Sequence, residues 1–392
     1  MPVVRTTAII LTVLAVSGVS VASVALWHLG EKVESNSVDI SNGDDRKSDP
    51  PPRTIGAFEG GFNVLVVGAD NAAEQGQEYG DRGSAVLNDV NIVFHVAADH
   101  KSAVVLSLPR DLVIPQPACV DPETGEEFSA VAAQPLNTAF QRGGLGCAVA
   151  TVEDLTGLDI PYAATFTFAG TVAMSDAVGG VPICLDSAIL DPSSGLDLPA
   201  GITNVSGQQA LAYLRTRDKI GDGSDLARIS SQQAYMSSLM RVMKSSDTLG
   251  DASKVTQLAA AAAEHIRLSE SLADLTTMAS MATTLKDLDL SALLFVQYPN
   301  VTDPDNPNKV VPDAELAAQL MAKIQGDEVF ALGAPTPEDG LGAEAGEPGG
   351  DALPAEPTPP GEVPPATETP EVLDGLRGQS ADQETCTEAS GY

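Results

Sequence analysis

The chain has 392 residues, of which 43% are hydrophobic, so it can bury one large core or two ordinary ones. Its formal net charge is −33, whereas non-specific nucleic-acid binding depends on cationic side chains that neutralise phosphates. We therefore exclude nucleic acid as a partner and expect a globular domain.

The N-terminal segment from Thr6 to Gly30 contains no charged residue and is long enough to cross a bilayer as a helix. Arg5 precedes this segment, which favours an N-terminus inside the cell. A cleaved signal peptide is the alternative, although its apolar run is usually shorter. We predict a cytoplasmic stub and single membrane anchor over 1–30, then a polar, Pro-punctuated stalk over 31–57. Everything beyond the anchor is then extracytoplasmic.

Residues 58–332 alternate between strand-like and helix-like segments, which predicts an α/β domain with helices on both faces of a mixed sheet. Apolar or alternating runs predict strands at 62–70, 91–97, 102–109, 162–168, 181–185 and 293–299. Helical spacing predicts helices at 145–157, 169–180, 207–218, 224–246, 253–266, 271–285 and 312–326. Asp225, after Gly223 and Ser224, is the expected cap of the helix at 224–246.

The C-terminal segment 333–392 contains ten prolines and thirteen acidic residues, with Arg377 as its single basic residue. A segment of this composition buries too little apolar surface to offset the entropy of ordering it. We predict that 333–392 is a disordered tail.

Four cysteines are present: Cys119, Cys147, Cys184 and Cys386. An extracytoplasmic location permits disulfides, and four cysteines allow three pairings. We favour a Cys119–Cys147 bond, because both residues lie in loop-like contexts about one βα unit apart. The alternative is that Cys147 and Cys184 are buried free thiols.

Three arginines stand out within 213–233 of this acidic chain: Arg215, Arg217 and Arg228. Guanidinium groups are planar, permanently charged donors that suit phosphate, so three in one pocket indicate a polyanion such as pyrophosphate. Asp225, Arg228 and Gln232 share one face of a helix by their spacing. The alternative is a solvated surface of Asp–Arg pairs that contribute about 0–1 kcal/mol each.

A second polar group lies at the ends of predicted strands and consists of Asp70, Asp89, Arg110 and Asp111. Carboxylates and an arginine at one edge of a sheet suit Mg²⁺-assisted phosphoryl chemistry, because Mg²⁺ takes oxygen ligands and neutralises phosphate. The alternative is that Asp70 and Asp89 are ordinary turn residues.

Five sequence blocks occur in order over roughly 62–243: "FNVLVVGAD", "LNDVNIVFHVAADHKSAVVLSLPRD", "LNTAFQRGGLG", "GQQALAYLRTRD" and "GDGSDLARISSQQ". Taken together, they resemble the LytR–CpsA–Psr family of cell-wall glycopolymer ligases. The resemblance implies a three-layer α/β/α domain over 58–332. It also implies transfer of a glycopolymer from a polyprenyl-pyrophosphate carrier onto peptidoglycan, forming a phosphodiester and releasing polyprenyl phosphate.

The resemblance also implies roles for individual residues. Asp70 and Asp89 match the aspartates that bind Mg²⁺ (or Mn²⁺). The matching catalytic residues are Arg110, Arg215, Arg217, Asp225, Arg228 and Gln232. We further assign Arg82, Asp111 and Gln233 to substrate binding, and Asp111 and Asp225 are candidate proton acceptors.

Two positions depart from the family pattern. Leu87 and Ser231 stand where many members have arginine, and Arg82 could compensate for Leu87. Both changes remove positive charge from the expected site. They leave open an alternative function, a non-catalytic envelope protein that binds polyprenyl lipid or wall polymer.

Overall fold

The computed structural model describes residues 30–42, 57–71, 86–245, 248, 251–333, 341–344 and 370–390. Residues 1–29 of the predicted anchor, and Arg82, lie outside this part of the chain. Among the residues described, no helix combines the length and apolar character needed to span a bilayer.

The strands, in chain order, are β1 (Phe62–Asn71), β2 (Val86–Val96), β3 (Ala103–Leu108), β4 (Val113–Gln116), β5 (Cys119–Val120), β6 (Glu127–Phe128), β7 (Val131–Pro135), β8 (Tyr162–Phe166), β9 (Val181–Leu185), β10 (Ile189–Asp191), β11 (Leu196–Leu198), β12 (Gly201–Val205), β13 (Ile266–Leu268), β14 (Leu293–Gln297), β15 (Asn300–Asp303), β16 (Asn306–Pro312), β17 (Phe330–Leu332), β18 (Leu341–Glu344), β19 (Glu371–Leu373), β20 (Gly378–Ser380) and β21 (Thr385–Thr387). The α-helices are α1 (Ala139–Thr156), α2 (Phe168–Val178), α3 (Gly207–Arg215), α4 (Asp225–Lys244), α5 (Ala252–His265), α6 (Leu275–Asp287) and α7 (Ala314–Gln325).

A mixed sheet in the order β13-β8-β1-β2-β3-β14-β20 forms the centre of the fold. Strand β1 runs parallel to β8, and β3 runs parallel to β14. The other neighbours in this sheet are antiparallel. The predicted α/β class with a mixed central sheet is confirmed, and the strands predicted at 62–70, 91–97 and 102–109 are its middle three.

Helices cover both faces of this sheet because successive strand side chains point in opposite directions. On one face, Leu65 and Val67 of β1 share a buried core with α1 and α7. On the other face, Val64 packs in a separate core that includes residues of α4 and α6. Helix α4 therefore runs along the sheet, and its first turn stands near the ends of β2 and β3.

A smaller sheet in the order β12-β9-β21-β18 lies beside the main one. Its core contains Tyr213 of α3, Ile220 of the α3–α4 loop (residues 216–224) and Tyr235 of α4. Helices α3 and α4 are thus fixed against the small sheet, and this sheet supports the segment from which the predicted arginines extend.

Two disulfides join distant parts of the chain. Cys119 and Cys147 are bonded, which is the pairing favoured from the sequence. Cys184 is bonded to Cys386 across 202 residues of sequence. In the chain-entropy view, closing a loop of this length stabilises the fold by about 5 kcal/mol. Neither Cys147 nor Cys184 is the free thiol considered as the alternative.

The structure corrects the predicted tail at residues 370–390. This segment adds β20 to the main sheet and β21 to the small one, and it buries Leu373 and Ala381. The sequence average hid this order, because all ten prolines of the segment lie before 371. Strand β18 at 341–344 joins the small sheet and corrects the tail prediction in the same way. Outside 333, 341–344 and 370–390, the tail prediction concerns residues that the structure does not describe.

The predicted stalk also differs from the structure in its first part. Residues 30–35 are helical, Val38 pairs with Ser269, and Ile40 is buried in the core beside α1. A polar composition suggested a free linker, but the buried apolar residues Val33 and Ile40 dock it onto the domain.

Candidate active site

Helix α4 carries a stripe that changes from charged to apolar along its length. Arg228 and Gln232 occupy the first turns, and Met236, Met240 and Met243 follow at helical spacing. From Arg228 to Met243 the stripe extends roughly 22 Å, at the rise of an α-helix. One wall of the site therefore has a cationic end and a longer apolar end.

This stripe borders a cavity of about 680 Å³. At one end the cavity wall is polar and includes Asp89, Arg110, Ser193, Ser194, Arg215, Arg217, Asp218, Arg228 and Gln232. The rest of the wall is mainly apolar and includes Val66, Ile92, Phe166, Phe168, Met174, Val178, Leu211, Leu214, Tyr235, Met236, Leu239, Met240 and Met243. Such a cavity suits a ligand with an anionic head and a long apolar chain.

An ion-pair network lies at the polar end, where the start of β2 and the end of β3 approach the start of α4. Arg110 donates from Nη1 to Asp89 Oδ1 at 2.8 Å, and its Nε lies 3.0 Å from Asp225 Oδ1. Arg228 Nη2 lies 2.6 Å from the same Asp225 oxygen. Two guanidinium groups thus converge on one carboxylate beside the cavity.

Burial makes this network costly to charge. It raises the pKa of Asp225, against the opposing effects of Arg228 and Arg110. Burial also lowers the pKa of Arg228, although a guanidinium stays protonated in proteins. Among the described residues, Asp225 Oδ2 and Arg228 Nε are buried without a hydrogen-bond partner. Arg228 thus retains buried donor capacity beside the cavity, as expected where an anionic ligand completes a site.

Arg215 and Arg217 reach the cavity because the chain leaves helical geometry between them. Helix α3 ends at Arg215, and Thr216 is already extended, with φ −62° and ψ 137°. Arg215 stacks its guanidinium 4.8 Å from the centre of the Phe168 ring. Arg217 is half-exposed beside Asp218, so this end of the cavity meets solvent. Sequence spacing required such a break, and the structure contains it.

The predicted metal ligands come together at the backbone level. In the β1–β2 register Asp70 lies opposite Leu87, two residues from Asp89. Asp89 is on the cavity wall, whereas the side chain of Asp70 lies outside what the structure describes. No cluster of three or more metal-binding side chains occurs among the described residues. Mg²⁺ is commonly held by one or two carboxylates plus phosphate oxygens, so this donor set fits that ion.

The remaining predicted residues have other partners. Asp111 does not line the cavity and pairs with Lys309 Nζ at 2.5 Å, and Gln232 on the cavity wall donates to the Leu214 carbonyl at 3.0 Å. Gln233 is buried and donates to Ser107 Oγ at 3.2 Å, and its role in substrate binding stays a prediction. Asp225 does not cap α4. Ser224 does, accepting from Ala227 N, and this leaves Asp225 for the arginines.

Lys309 and Phe168 were missed from the sequence. Lys309 comes from the β15–β16 hairpin, about 200 residues after Asp111, and no local pattern announces it. Phe168 follows a strand and was read only as part of it. Ser231 is buried and its hydroxyl donates to the Arg228 carbonyl, so that position does not face the cavity.

Comparison with known proteins identifies the family of the chain. Residues 24–320 match the LytR_cpsA_psr family. The chain is 30% identical over 308 residues to the cell wall biosynthesis protein LcpA of Corynebacterium glutamicum, covering 72% of this chain and 58% of LcpA. It is 24% identical over 304 residues to the polyisoprenyl-teichoic acid–peptidoglycan teichoic acid transferase TagT of Bacillus subtilis, covering 75% and 86% respectively. The chain thus spans little more than half the length of LcpA, and it spans 46% of LcpB from the same organism.

Solved structures share the fold. A LytR-Csp2A-Psr enzyme from Actinomyces oris superposes with a TM-score of 0.52 at 20% identity, covering 70% of this chain and 96% of that one. TagT bound to LI-WTA gives a TM-score of 0.51 at 18% identity, covering 74% and 98%. With a match over most of its length and this shared architecture, the chain belongs to the LytR_cpsA_psr family.

Proposed function

We propose that the protein transfers a glycopolymer from a polyprenyl-pyrophosphate carrier onto a hydroxyl of peptidoglycan. The observation that carries the proposal is the cavity whose wall joins Arg110, Arg215, Arg217 and Arg228 to an apolar lining. A polyprenyl pyrophosphate has the same polarity, with a doubly charged head on a long hydrocarbon chain. Relatives named as teichoic acid transferases support transfer to the wall as the class of reaction.

In the proposed step, the acceptor hydroxyl oxygen bonds to the phosphorus that carries the glycan. The bond from that phosphorus to the bridging oxygen breaks, and polyprenyl phosphate leaves with the bridging oxygen. The hydroxyl proton passes to solvent at the exposed arginine end of the cavity. The products are a glycan–peptidoglycan phosphodiester and polyprenyl phosphate, so atoms and charge balance.

The chain's own residues contribute mainly electrostatic stabilisation and positioning, which dominate phosphoryl transfer. Arg228, held by Asp225, is oriented before the ligand arrives, and Arg215 is held by the Phe168 ring. Arg217, half-exposed on the cavity wall, would stabilise the charge that develops on the leaving phosphate. Asp70 and Asp89 would hold Mg²⁺ or Mn²⁺, which when bound neutralises charge on phosphate oxygens.

The N-terminus of α4 adds to this field. The first backbone N–H groups of a helix carry partial positive charge, and Ser224 satisfies one of them, on Ala227.

We propose that the chain works at the outer face of the cell membrane, held by its N-terminal apolar segment. An anchor there keeps the cavity beside its lipid-linked donor and raises its effective concentration.

The test supplies the full chain with a polyprenyl-pyrophosphate-linked glycan, peptidoglycan fragments and Mg²⁺. We expect polyprenyl phosphate release together with label transfer to the wall fragments, and loss of both in Arg217→Ala. Binding of the lipid without release or transfer would instead support the non-catalytic envelope protein. Equal release by the wild type and by Arg217→Ala would contradict the assigned site.

A further inference from the structure

Residues 386–390, here called the strap, run beside the α3–α4 loop. Gly221 N donates to Glu388 O at 2.9 Å, and Ser390 N donates to Lys219 O at 3.1 Å. The hydroxyl of Ser390 also donates to the carbonyl of Asp218 at 3.1 Å. Ile220 and Ala389 form an antiparallel bridge between them. The strap and the middle of the loop therefore pair through their backbones like two short antiparallel strands.

Ile220 fixes the middle of the loop to the core of the small sheet, and the strap adds backbone partners on either side of it. Within the loop, Ile220 N bonds to Arg217 O and Gly223 N bonds to Ile220 O, which make tight turns. Gly221 has φ +51°, and a Cβ there would lie 2.9 Å from that of Ala227. Only glycine allows the backbone at 221 to lie this close to Ala227 of α4 with a positive φ. The close contact is kept only while the loop keeps its turn.

The strap itself is firmly held. Cys386 is bonded to Cys184, and β21 pairs in parallel with β9. Thr387 Oγ1 lies 2.5 Å from the hydroxyl of Tyr213, and Ala389 N donates to Asp186 Oδ1 at 2.8 Å. These contacts fix the strap to the small sheet, and the strap in turn contacts the loop. It lies beyond the residues that match the family, which end at 320.

We propose that residues 388–390 of the strap position the α3–α4 loop so that Arg217 faces the anion at the polar end of the cavity. This inference rests on the proposed function for the identity of that anion. Arg217 is three residues before Ile220, and its carbonyl accepts the bond that starts the turn. Releasing the strap frees this turn, and the guanidinium loses its fixed distance from Arg215 and Arg228.

The first test is a variant of the full chain that stops after Thr387, which keeps β21 and the Cys184–Cys386 bond. A variant that stops after Ser390 is the matched control. We expect faster amide hydrogen exchange at residues 217–223 and unchanged exchange in β1–β3. We also expect farnesyl pyrophosphate to bind about tenfold more weakly, because a displaced Arg217 makes a weaker charge-assisted contact with the pyrophosphate. Farnesol, which lacks the pyrophosphate, should bind equally to both chains.

Ser390→Pro is the second variant, because it removes both bonds from Ser390 to the loop and leaves the rest of the strap intact. Ser390→Ala, which keeps the backbone bond, should show a smaller effect of the same kind. Unchanged exchange at 217–223 would overturn the proposal, as would equal weakening of farnesol and farnesyl pyrophosphate. If the full chain lacks transferase activity, the proposed function fails while these exchange and binding results still decide whether the strap orients Arg217.

Discussion

Replacing Asp225 with alanine tests the central feature of the site, a carboxylate shared by two arginines. Its side chain is 13% exposed and that of Arg228 is 9% exposed. Among the described residues, Asp225 is the one carboxylate in contact with Arg228, whereas Arg110 also contacts Asp89 and Asp111. The substitution leaves the Arg228 charge buried and uncompensated, which costs about 3–5 kcal/mol.

The measurement is urea denaturation of the full chain at pH 7, compared with Asp218→Ala. Asp218 pairs with Arg217 in an exposed setting, with side chains 67% and 47% exposed, so its removal should cost about 0–1 kcal/mol. The double variant Asp225→Ala/Arg228→Met should regain much of the loss, because no unpaired charge remains. If Asp225→Ala costs no more than Asp218→Ala, the network is hydrated and the reasoning is wrong.

Three further predictions follow from the same structure. Arg217→Ala should lower transfer by about 10²–10³-fold, as for loss of one oxyanion donor, with the urea midpoint unchanged, because the side chain is half-exposed; a fall in the midpoint would show a structural role instead. Met243→Glu should weaken farnesyl pyrophosphate binding by about 10–100-fold, because Met243 is partly buried on the cavity wall and apolar contact that fully buries a methionine contributes about 1.5–3 kcal/mol. Calorimetry measures this affinity, and an unchanged value would place the lipid elsewhere. Burial opposes ionisation of Asp191, yet hydrogen bonds from Ser193, Thr216 and Ser194 lower its pKa to about 2. Its stabilising effect is therefore complete above about pH 4 and lost as pH falls towards 2, so Asp191→Asn should flatten that part of the stability–pH curve.

The sequence predicted the main sheet and the arginine cluster because their signals are local. The apolar run of β1 and the spacing of Arg228 and Gln232 on α4 depend only on nearby residues. The same holds for the break after Arg215, since "DKIGDGSD" cannot continue a helix. Local patterns of this kind predict a strand, a helix face or a helix end without knowledge of the tertiary contacts.

Features set by tertiary contact were missed. Lys309 reaches Asp111 through a hairpin that no pattern linked to the site. Gln233 shares its helix with Gln232, but one residue of helical rotation turns it into the sheet, towards Ser107. Ser224, not Asp225, caps α4, because Asp225 contacts Arg110 and Arg228. Arg110 is distant in sequence, so the local pattern could not predict this contact.

The pairing of Gly221 with Glu388 has a consequence for the order in which the protein matures. Ribosomes make residues 62–325, with every helix that lines the cavity, well before residue 386 exists. A nascent chain can collapse around its central sheet while the turn after Arg217 still lacks its neighbour. If the strap positions Arg217 as proposed, competence for anion binding is acquired late, when the C-terminal segment pairs with the loop.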